Sequence, residues 1–215
     1  MAFNYSPKIV TNGLVLYLDA ANPNSYISGS TSWNDISRSR NNGTLTNGPI
    51  YNSSNGGNIV FDGSNDYMTI PSLPALGTNY SLCFWLKIIS ITSAETQIFM
   101  PAGDIASISI TNFRIGSWNG STYRQSSTVM STGVWFNFVM TCNGSSTIFY
   151  LNGATNLTSA TTGNFGTGTG YVCSIGPTTG RYLNANLGNI IFYNRALSAA
   201  EVQQIFNALR GRYGI

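Results

Sequence analysis

Residues 80–88 read Tyr-Ser-Leu-Cys-Phe-Trp-Leu-Lys-Ile, and this stretch decides the fold class. Tyr80, Leu82, Phe84, Leu86 and Ile88 share one face of an extended chain, and the intervening residues share the other. Successive side chains of a β-strand point to opposite faces of the sheet. Because both faces are largely apolar, the pattern predicts a central strand that is covered on two sides.

The segments around this stretch repeat the strand pattern. Residues 134–142 alternate in the same way, residues 13–19 form an apolar run of strand length, and residues 59–61 and 67–70 flank a turn rich in Asp and Gly. Asn143-Gly144 follows one of these runs, and Asn-Gly between two alternating runs predicts a type I′ hairpin. Six further Asn-Gly pairs punctuate the chain. The sequence therefore predicts an antiparallel meander, which is best buried as a two-sheet sandwich.

One helix is predicted near the C-terminus, over residues 198–210. Ser198-Ala-Ala-Glu201 has the pattern of a capping box, and Gly211 is a typical residue after a helix end. An apolar stripe follows the box at helical spacing and consists of Val202, Ile205, Phe206 and Leu209. This stripe requires a sheet or a partner to cover it. No linker or charge run divides the 215 residues, so we expect a single domain spanning 1–215.

The composition excludes several classes of function. The chain has 10 basic and 7 acidic residues and no histidine, so catalysis by imidazole and zinc sites that use imidazole ligands are ruled out. Its basic residues form no stripe that suits nucleic acid, and no run of 18 apolar residues suits a membrane span. The N-terminus has no pattern of a secretory signal, and three cysteines without motif spacing predict buried free thiols in a protein made in the cytoplasm.

Several motifs together resemble a known family. They are the segments 13–20, 33–37, 42–48, 60–67, 80–86 and 191–204, which read GLVLYLDA, WNDIS, NGTLTNG, VFDGSNDY, YSLCFWL and IFYNRALSAAEVQQ. The order of these motifs is similar to that of the laminin-G-like, concanavalin A-like lectin/glucanase superfamily, as it occurs in structural proteins of tailed bacteriophages. The resemblance implies an all-β, two-sheet antiparallel jelly-roll sandwich with one short C-terminal helix.

The resemblance also implies a function. We expect a non-enzymatic phage virion protein, made in the host cytoplasm, that serves as a capsid decoration or fibre component. Its expected partners are other virion proteins, further copies of itself in a symmetric oligomer, and glycans of the host surface. The alternative is a free bacterial carbohydrate-binding adhesion module. Fold alone does not decide between them.

Enzymatic hydrolysis is not expected. Glucanases of this superfamily carry two glutamates on one strand, set across the scissile bond. The only glutamates here are Glu95, beside a predicted loop, and Glu201, which the capping box already explains.

Four residues are candidates for carbohydrate binding: Trp33, Trp118, Asn119 and Tyr123. They lie in or beside predicted loops, whereas Trp85 and Trp135 fall within predicted strands and are assigned to the core. Aromatic rings offer a face to the C–H groups of a sugar, and amides and hydroxyls bind its oxygens. For each loop tryptophan, packing against the sandwich remains the alternative.

Four carboxylates are candidates for a calcium site: Asp19, Asp35, Asp62 and Asp66. Calcium prefers six to eight oxygen ligands, and the turn from Asp62 to Asp66 supplies closely spaced donors. The alternative is that these residues form Asx-turns.

Overall fold

A computed structural model describes residues 8–91, 95–101, 107–174 and 181–215. Within these ranges the chain forms sixteen strands and one α-helix. The strands are β1 (Leu14–Asp19), β2 (Ser32–Trp33), β3 (Gly43–Thr46), β4 (Ile50–Asn52), β5 (Asn58–Asp62), β6 (Tyr67–Leu73), β7 (Asn79–Ser90), β8 (Glu95–Met100), β9 (Ser107–Thr111), β10 (Arg114–Trp118), β11 (Tyr123–Gln125), β12 (Trp135–Asn143), β13 (Thr147–Leu151), β14 (Ala154–Ser159), β15 (Gly168–Val172) and β16 (Asn184–Tyr193). The helix α1 spans Ala199–Tyr213.

The strands form two antiparallel sheets of eight strands each, so the predicted two-sheet sandwich is confirmed. Sheet A has the order β14-β13-β12-β7-β16-β5-β4, and β1 pairs with the second half of β16. Sheet B has the order β11-β10-β9-β8-β15-β6-β3-β2. The strand that contains residues 80–88 is β7, which lies between β12 and β16 as its pattern predicts.

The core lies between the two sheets and is rich in aromatic rings. Phe84 and Phe192 of sheet A meet Phe99 of sheet B, with ring centroids 6.1 and 5.0 Å from that of Phe99. Phe165 stacks on Phe99 from the loop before β15, at 6.0 Å. All four side chains are fully buried, so this cluster joins the sheets at their centre. The three cysteines are buried and free, as predicted.

Helix α1 covers the outer face of sheet A. The apolar stripe of the helix meets Trp85, Val139, Ile191 and other residues of the outward face of β7, β12 and β16. The capping box is present, but the predicted end at residue 210 is wrong. Gly211 lies inside the helix, and Gly214 ends it with φ +74°. Tyr213 stacks on Trp85 at 4.3 Å, and this tertiary contact holds the last turn helical despite the glycine.

Two Asn-Gly turns differ from each other. Asn152 and Gly153 both have positive φ, at +48° and +79°, as a type I′ hairpin between β13 and β14 requires. After β12, Gly144 has positive φ and Asn143 does not, so the type I′ prediction is wrong there. Instead, the Asn143 Oδ1 accepts hydrogen bonds from the backbone N–H groups of Ser145 and Ser146. These bonds stabilise a turn in which Asn143 is the first residue rather than a central one.

An ion pair fixes the corner before α1. Arg195 donates to both carboxylate oxygens of Glu201, at 2.9 and 2.5 Å, and Ser198 N donates to the same carboxylate. The arginine contact above all, with help from Ser198, lowers the pKa of Glu201 from 4.5 to about 2. The folded state therefore stabilises the ionised form of Glu201.

This pair predicts a pH-dependent contribution to stability. Because the folded pKa lies below the unfolded one, the contribution is complete above the unfolded pKa of about 4.5 and is lost as the pH falls toward 2. Solvent screening limits it to about 1–2 kcal/mol. In urea unfolding, Glu201→Gln should lower the free energy of unfolding by that amount at about pH 7 and by much less at about pH 2. A difference that persists undiminished in acid would contradict this role, since glutamine still permits the cap.

Candidate functional site

A cup of about 340 Å³ lies on the outer face of sheet B, across strands β8 to β11. Alternation along the strands separates this face from the core: Ile108, Ile110 and Ile115 point inward and are fully buried. The residues between them point outward. The cup is lined by Glu95, Gln97, Ser107, Thr111, Trp118, Tyr123 and Arg181.

Strand register brings these side chains into rows. Trp118 of β10 lies directly opposite Tyr123 of β11 on one side and Ser107 of β9 on the other. Glu95 of β8 lies opposite Thr111 of β9. Adjacent strands are about 4.8 Å apart, so side chains of one row are within reach of a single small ligand. The cup thus has an aromatic side over β10 and β11 and a polar side over β8.

The Tyr123 ring lies across the floor of the cup. A Cβ placed on Gly116 would come within 2.6 Å of the ring carbon Cζ and of the hydroxyl, so glycine leaves the space that the ring fills. The hydroxyl is 2.7 Å from Ser109 Oγ, and Thr111 donates to it at 3.3 Å. Burial, together with the negative charge of Glu95, raises the pKa of Tyr123, so the hydroxyl stays neutral and can hydrogen-bond a ligand.

The polar side carries one ion pair and one fixed amide. Arg181 NH1 lies 2.9 Å from Glu95 Oε2. Gln97 is buried; its side chain donates to the Phe99 carbonyl at 2.9 Å, and its backbone N–H donates to the Arg181 carbonyl at 3.1 Å. The last bond ties the Arg181 backbone to β8, so the charged groups have defined positions.

Two of the four predicted carbohydrate ligands, Trp118 and Tyr123, line this cup, and two lie elsewhere. Asn119 follows β10, where its Oδ1 accepts hydrogen bonds from Ser121 and Thr122 and stabilises the turn to β11. Trp33 is fully buried and meets Tyr26 edge-on at 6.3 Å, so it has no face to offer a ligand. For Trp33 the structure corrects the expectation in favour of packing, because its strand β2 turns the indole inward.

The four predicted calcium ligands are engaged in the fold and do not fit a calcium site. Asp19 pairs with Arg212 at 2.5 Å, and Asp35 accepts hydrogen bonds from Tyr17, Ser37 and Asn41. These contacts occupy the oxygens that a cation would need. In the part of the chain that the structure describes, no group of three or more His, Cys, Asp or Glu side chains could hold a metal ion.

The other two carboxylates share a turn. Asp62 Oδ1 accepts hydrogen bonds from the backbone N–H groups of Ser64, Asn65 and Asp66, and Asp66 Oδ2 accepts from Asp62 N. This is the Asx-turn alternative. Burial raises the pKa of Asp66, whereas partial burial of Asp62 is outweighed by its backbone hydrogen bonds, which lower the pKa of that carboxyl.

A second cavity, of about 410 Å³, has Tyr26 and Tyr51 in its lining. These rings stack on each other at 5.6 Å, so each has one face already covered. The cup on sheet B combines exposed aromatic surface with hydroxyls, an amide and charged groups. It is therefore the better candidate for a ligand with both C–H faces and hydroxyl groups.

The sequence was also compared with protein families. The model of the concanavalin A-like lectin/glucanases superfamily, laminin G type, matches residues 62–203. The chain belongs to this superfamily. The matched region contains every strand that lines the cup. No curated protein matches the sequence.

Solved structures of the superfamily fold resemble the chain over nearly its whole length. Trypanosoma rangeli sialidase in complex with 2,3-difluorosialic acid matches with a TM-score of 0.74 at 14% identity, over 98% of this chain and 36% of the sialidase. The binding domain of paraclostridial mosquitocidal protein 1 matches at 0.73 and 14%, over 91% and 52%. Domain 4 of an extracellular arabinanase from Geobacillus stearothermophilus, in complex with arabinotriose, matches at 0.71 and 15%, over 91% and 99%.

These likenesses establish the concanavalin A-like jelly roll. The chain spans about a third of the sialidase and about half of the toxin binding domain, and nearly all of the arabinanase domain. In the described residues no helix is long and apolar enough to cross a membrane.

Sequence reasoning missed most of the polar side of the cup. Residues 107–111 read Ser-Ile-Ser-Ile-Thr, and this alternation does indicate a strand with a hydroxyl-bearing outer face. Gly116 carries no such signal, because its role depends on the ring of a neighbouring strand. Arg181 lies outside any strand and joins the cup only through the fold.

Proposed function

We propose that the protein is a non-catalytic carbohydrate-binding domain whose ligand site is the cup on sheet B. The observation that carries the proposal is the placement of Trp118 and Tyr123 beside Ser107, Thr111 and Gln97 on the outer face of sheet B. An aromatic ring buries the C–H face of a sugar, and hydroxyl and amide groups exchange hydrogen bonds with its oxygens. Few other small ligands require this combination.

The nature of the ligand is supported by analogy. The arabinanase domain, of similar fold, was solved with arabinotriose, and the toxin domains of similar fold are described as binding domains. Fold likeness at this level of identity does not transfer a ligand, so the proposal rests on the residues of the cup.

Catalysis of glycoside hydrolysis is not part of the proposal. Most glycoside hydrolases use two carboxyl groups about 5–9.5 Å apart across the scissile bond. Glu95 is the one carboxylate among the described residues that line the cup, and it is paired with Arg181. Glu201 caps the helix on the other sheet.

We propose further that the domain is displayed on a phage virion, as decoration or fibre, where it contacts other virion proteins and copies of itself. Its three buried, unpaired thiols are compatible with assembly in a reducing cytoplasm. This placement is tested by electron microscopy of purified phage particles labelled with an antibody against this chain. Label on the shell or a fibre would support it, and unlabelled particles that lack the protein by mass spectrometry would favour a free carbohydrate-binding module.

The cup itself is tested by glycan binding. We expect the wild-type chain to bind glycans on an array, and Trp118→Ala to weaken that binding at least tenfold, because the ring that covers the sugar face is lost. Affinity is then measured by calorimetry with the best array ligand.

A matched control is Val134→Ala, which removes an apolar side chain that is 53% exposed beside β12 of the other sheet. It should bind as the wild type does. Trp118→Phe should recover part of the affinity. Binding that is unchanged in Trp118→Ala would place the glycan elsewhere, and an array without any bound glycan would refute the proposed function.

A further inference from the structure

The polar side of the cup carries a balanced pair of charges. Glu95 is the one carboxylate and Arg181 the one cationic group among the described lining residues, and they are 2.9 Å apart. Arg114 lies on the same outer face, opposite Thr111, whereas Arg124 lies on the inner face, opposite Ser117. Arg114 donates to the carbonyls of Ser126 and Ser127, and Arg124 is buried between the sheets. Among the described residues that line the cup, the one negative and the one positive charge therefore balance.

Both charged groups remain accessible within this pair. The Arg181 side chain is 46% exposed and that of Glu95 is 33% exposed. Backbone pairing fixes where they stand: Glu95 is held opposite Thr111, and the Arg181 carbonyl accepts from Gln97 N. The carboxylate can accept hydrogen bonds from ligand hydroxyls, and the guanidinium can donate to ligand oxygens.

We propose that the Glu95–Arg181 pair makes the cup selective for uncharged saccharides over acidic and amino sugars, an inference that rests on the proposed function. A ligand carboxylate near the pair would be repelled by Glu95, and the Arg181 charge that could attract it is already neutralised. A ligand ammonium would be repelled by Arg181, and the Glu95 charge that could attract it is already neutralised. A neutral hydroxyl has no such conflict, because it both donates and accepts. Selectivity of this kind arises from repulsion of the wrong ligand as much as from attraction of the right one.

The dimensions of the cup suit a short ligand. Its volume of about 340 Å³ lies near the lower end of the range of small-molecule pockets, which is about 300–1,000 Å³. Trp118 and the ion pair lie at opposite sides of the same floor, on β10 and at β8. Trp118 lies opposite Ser107 and Glu95 lies opposite Thr111, which is four residues or about 13 Å farther along β9, so a sugar stacked on Trp118 reaches the charged side through a second sugar unit.

The experiment compares matched sugars and matched variants. The probes are disaccharides of glucose, galactose and mannose, their uronic acid counterparts, in which a carboxylate replaces the primary alcohol, and their 2-amino counterparts. Glu95→Gln keeps the shape of the side chain and removes the negative charge beside Arg181, and Arg181→Gln removes the positive charge beside Glu95. Affinities are measured at low and at physiological salt, because a contact with an unpaired charge weakens as salt is added.

We expect the wild type to bind the neutral member of a set at least tenfold more tightly than either charged member. Glu95→Gln should raise the affinity for the uronic acid at least tenfold, in a salt-dependent manner, and Arg181→Gln should raise that for the amino sugar instead. The inference is overturned if the wild type binds the acidic and neutral members equally, or if the variants leave their ratio unchanged while neutral glycans still bind. A wild type that binds none of these sugars or the array glycans overturns the proposed function itself.

Discussion

Replacement of Phe192 by alanine is expected to lower the free energy of unfolding by about 3–5 kcal/mol, as large-to-small changes of buried aromatic residues do. Phe192 lies on β16, is fully buried, and meets the rings of Phe84, Phe99 and Phe165 with centroids 5.7, 5.0 and 6.3 Å away. Loss of the ring removes contacts on both sheets at once. The surrounding rings belong to three other chain segments, so they cannot close the cavity without moving strands.

Thermal and denaturant unfolding measure this effect. For a chain of this size each 1 kcal/mol corresponds to about 2–4 °C, so the midpoint of Phe192→Ala should fall by roughly 6–20 °C. Phe113→Ala is the control, because Phe113 lies in the turn between β9 and β10 and is 42% exposed. That variant should stay within about 0.5 kcal/mol of the wild type. Equal effects of the two substitutions would contradict the position of Phe192 at the centre of the core.

Loss of the Phe192 ring is expected to affect the cup as well, because β8 contributes residues to both the core and the cup. Phe99 points inward against Phe192, whereas Glu95 and Gln97 of the same strand line the cup. Glycan binding by the folded fraction of Phe192→Ala therefore reports whether the core holds the position of β8.

The fold class follows from local sequence patterns, and the topology does not. Two-sided alternation at residues 80–88 is enough to predict a central strand, because both faces of β7 are buried. The same pattern does not say which strands flank it. β16 pairs with β7 along one edge and with β5 and β1 along the other, an arrangement set by contacts between residues at least 94 positions apart.

The role of a site residue can be predicted from sequence when its residue type usually has one role. It cannot be predicted when contacts with distant residues determine that role. Trp118 and Tyr123 are aromatic residues at strand ends, and exposed rings at such places are often used for binding. Trp33 has a similar local sequence, but its strand turns the ring into the core. Asp19 is engaged by Arg212, a partner 193 residues away that no local pattern indicates.

The C-terminal helix is the other place where one aromatic side chain carries a large share of the stability. Tyr213 is 4% exposed, stacks on Trp85 at 4.3 Å and contacts the Trp135 ring at 4.7 Å. Gly188 lies beneath it, since a Cβ there would be 2.0 Å from the Tyr213 hydroxyl. Removal of the ring opens a cavity between the helix and sheet A and uncovers two tryptophans.

We expect Tyr213→Ala to lower the free energy of unfolding by about 3–5 kcal/mol and to increase hydrogen exchange of the amides of α1. Tyr213→Phe keeps the ring and removes a hydroxyl that accepts a 3.4 Å hydrogen bond from Asn189, so it should cost only about 0.5–1.5 kcal/mol. A loss in Tyr213→Phe as large as in Tyr213→Ala would mean that the hydroxyl, rather than stacking, holds the helix. Because the cup lies on the opposite sheet, glycan affinity of the folded protein should be the same in both variants, which separates stability of the helix from function of the site.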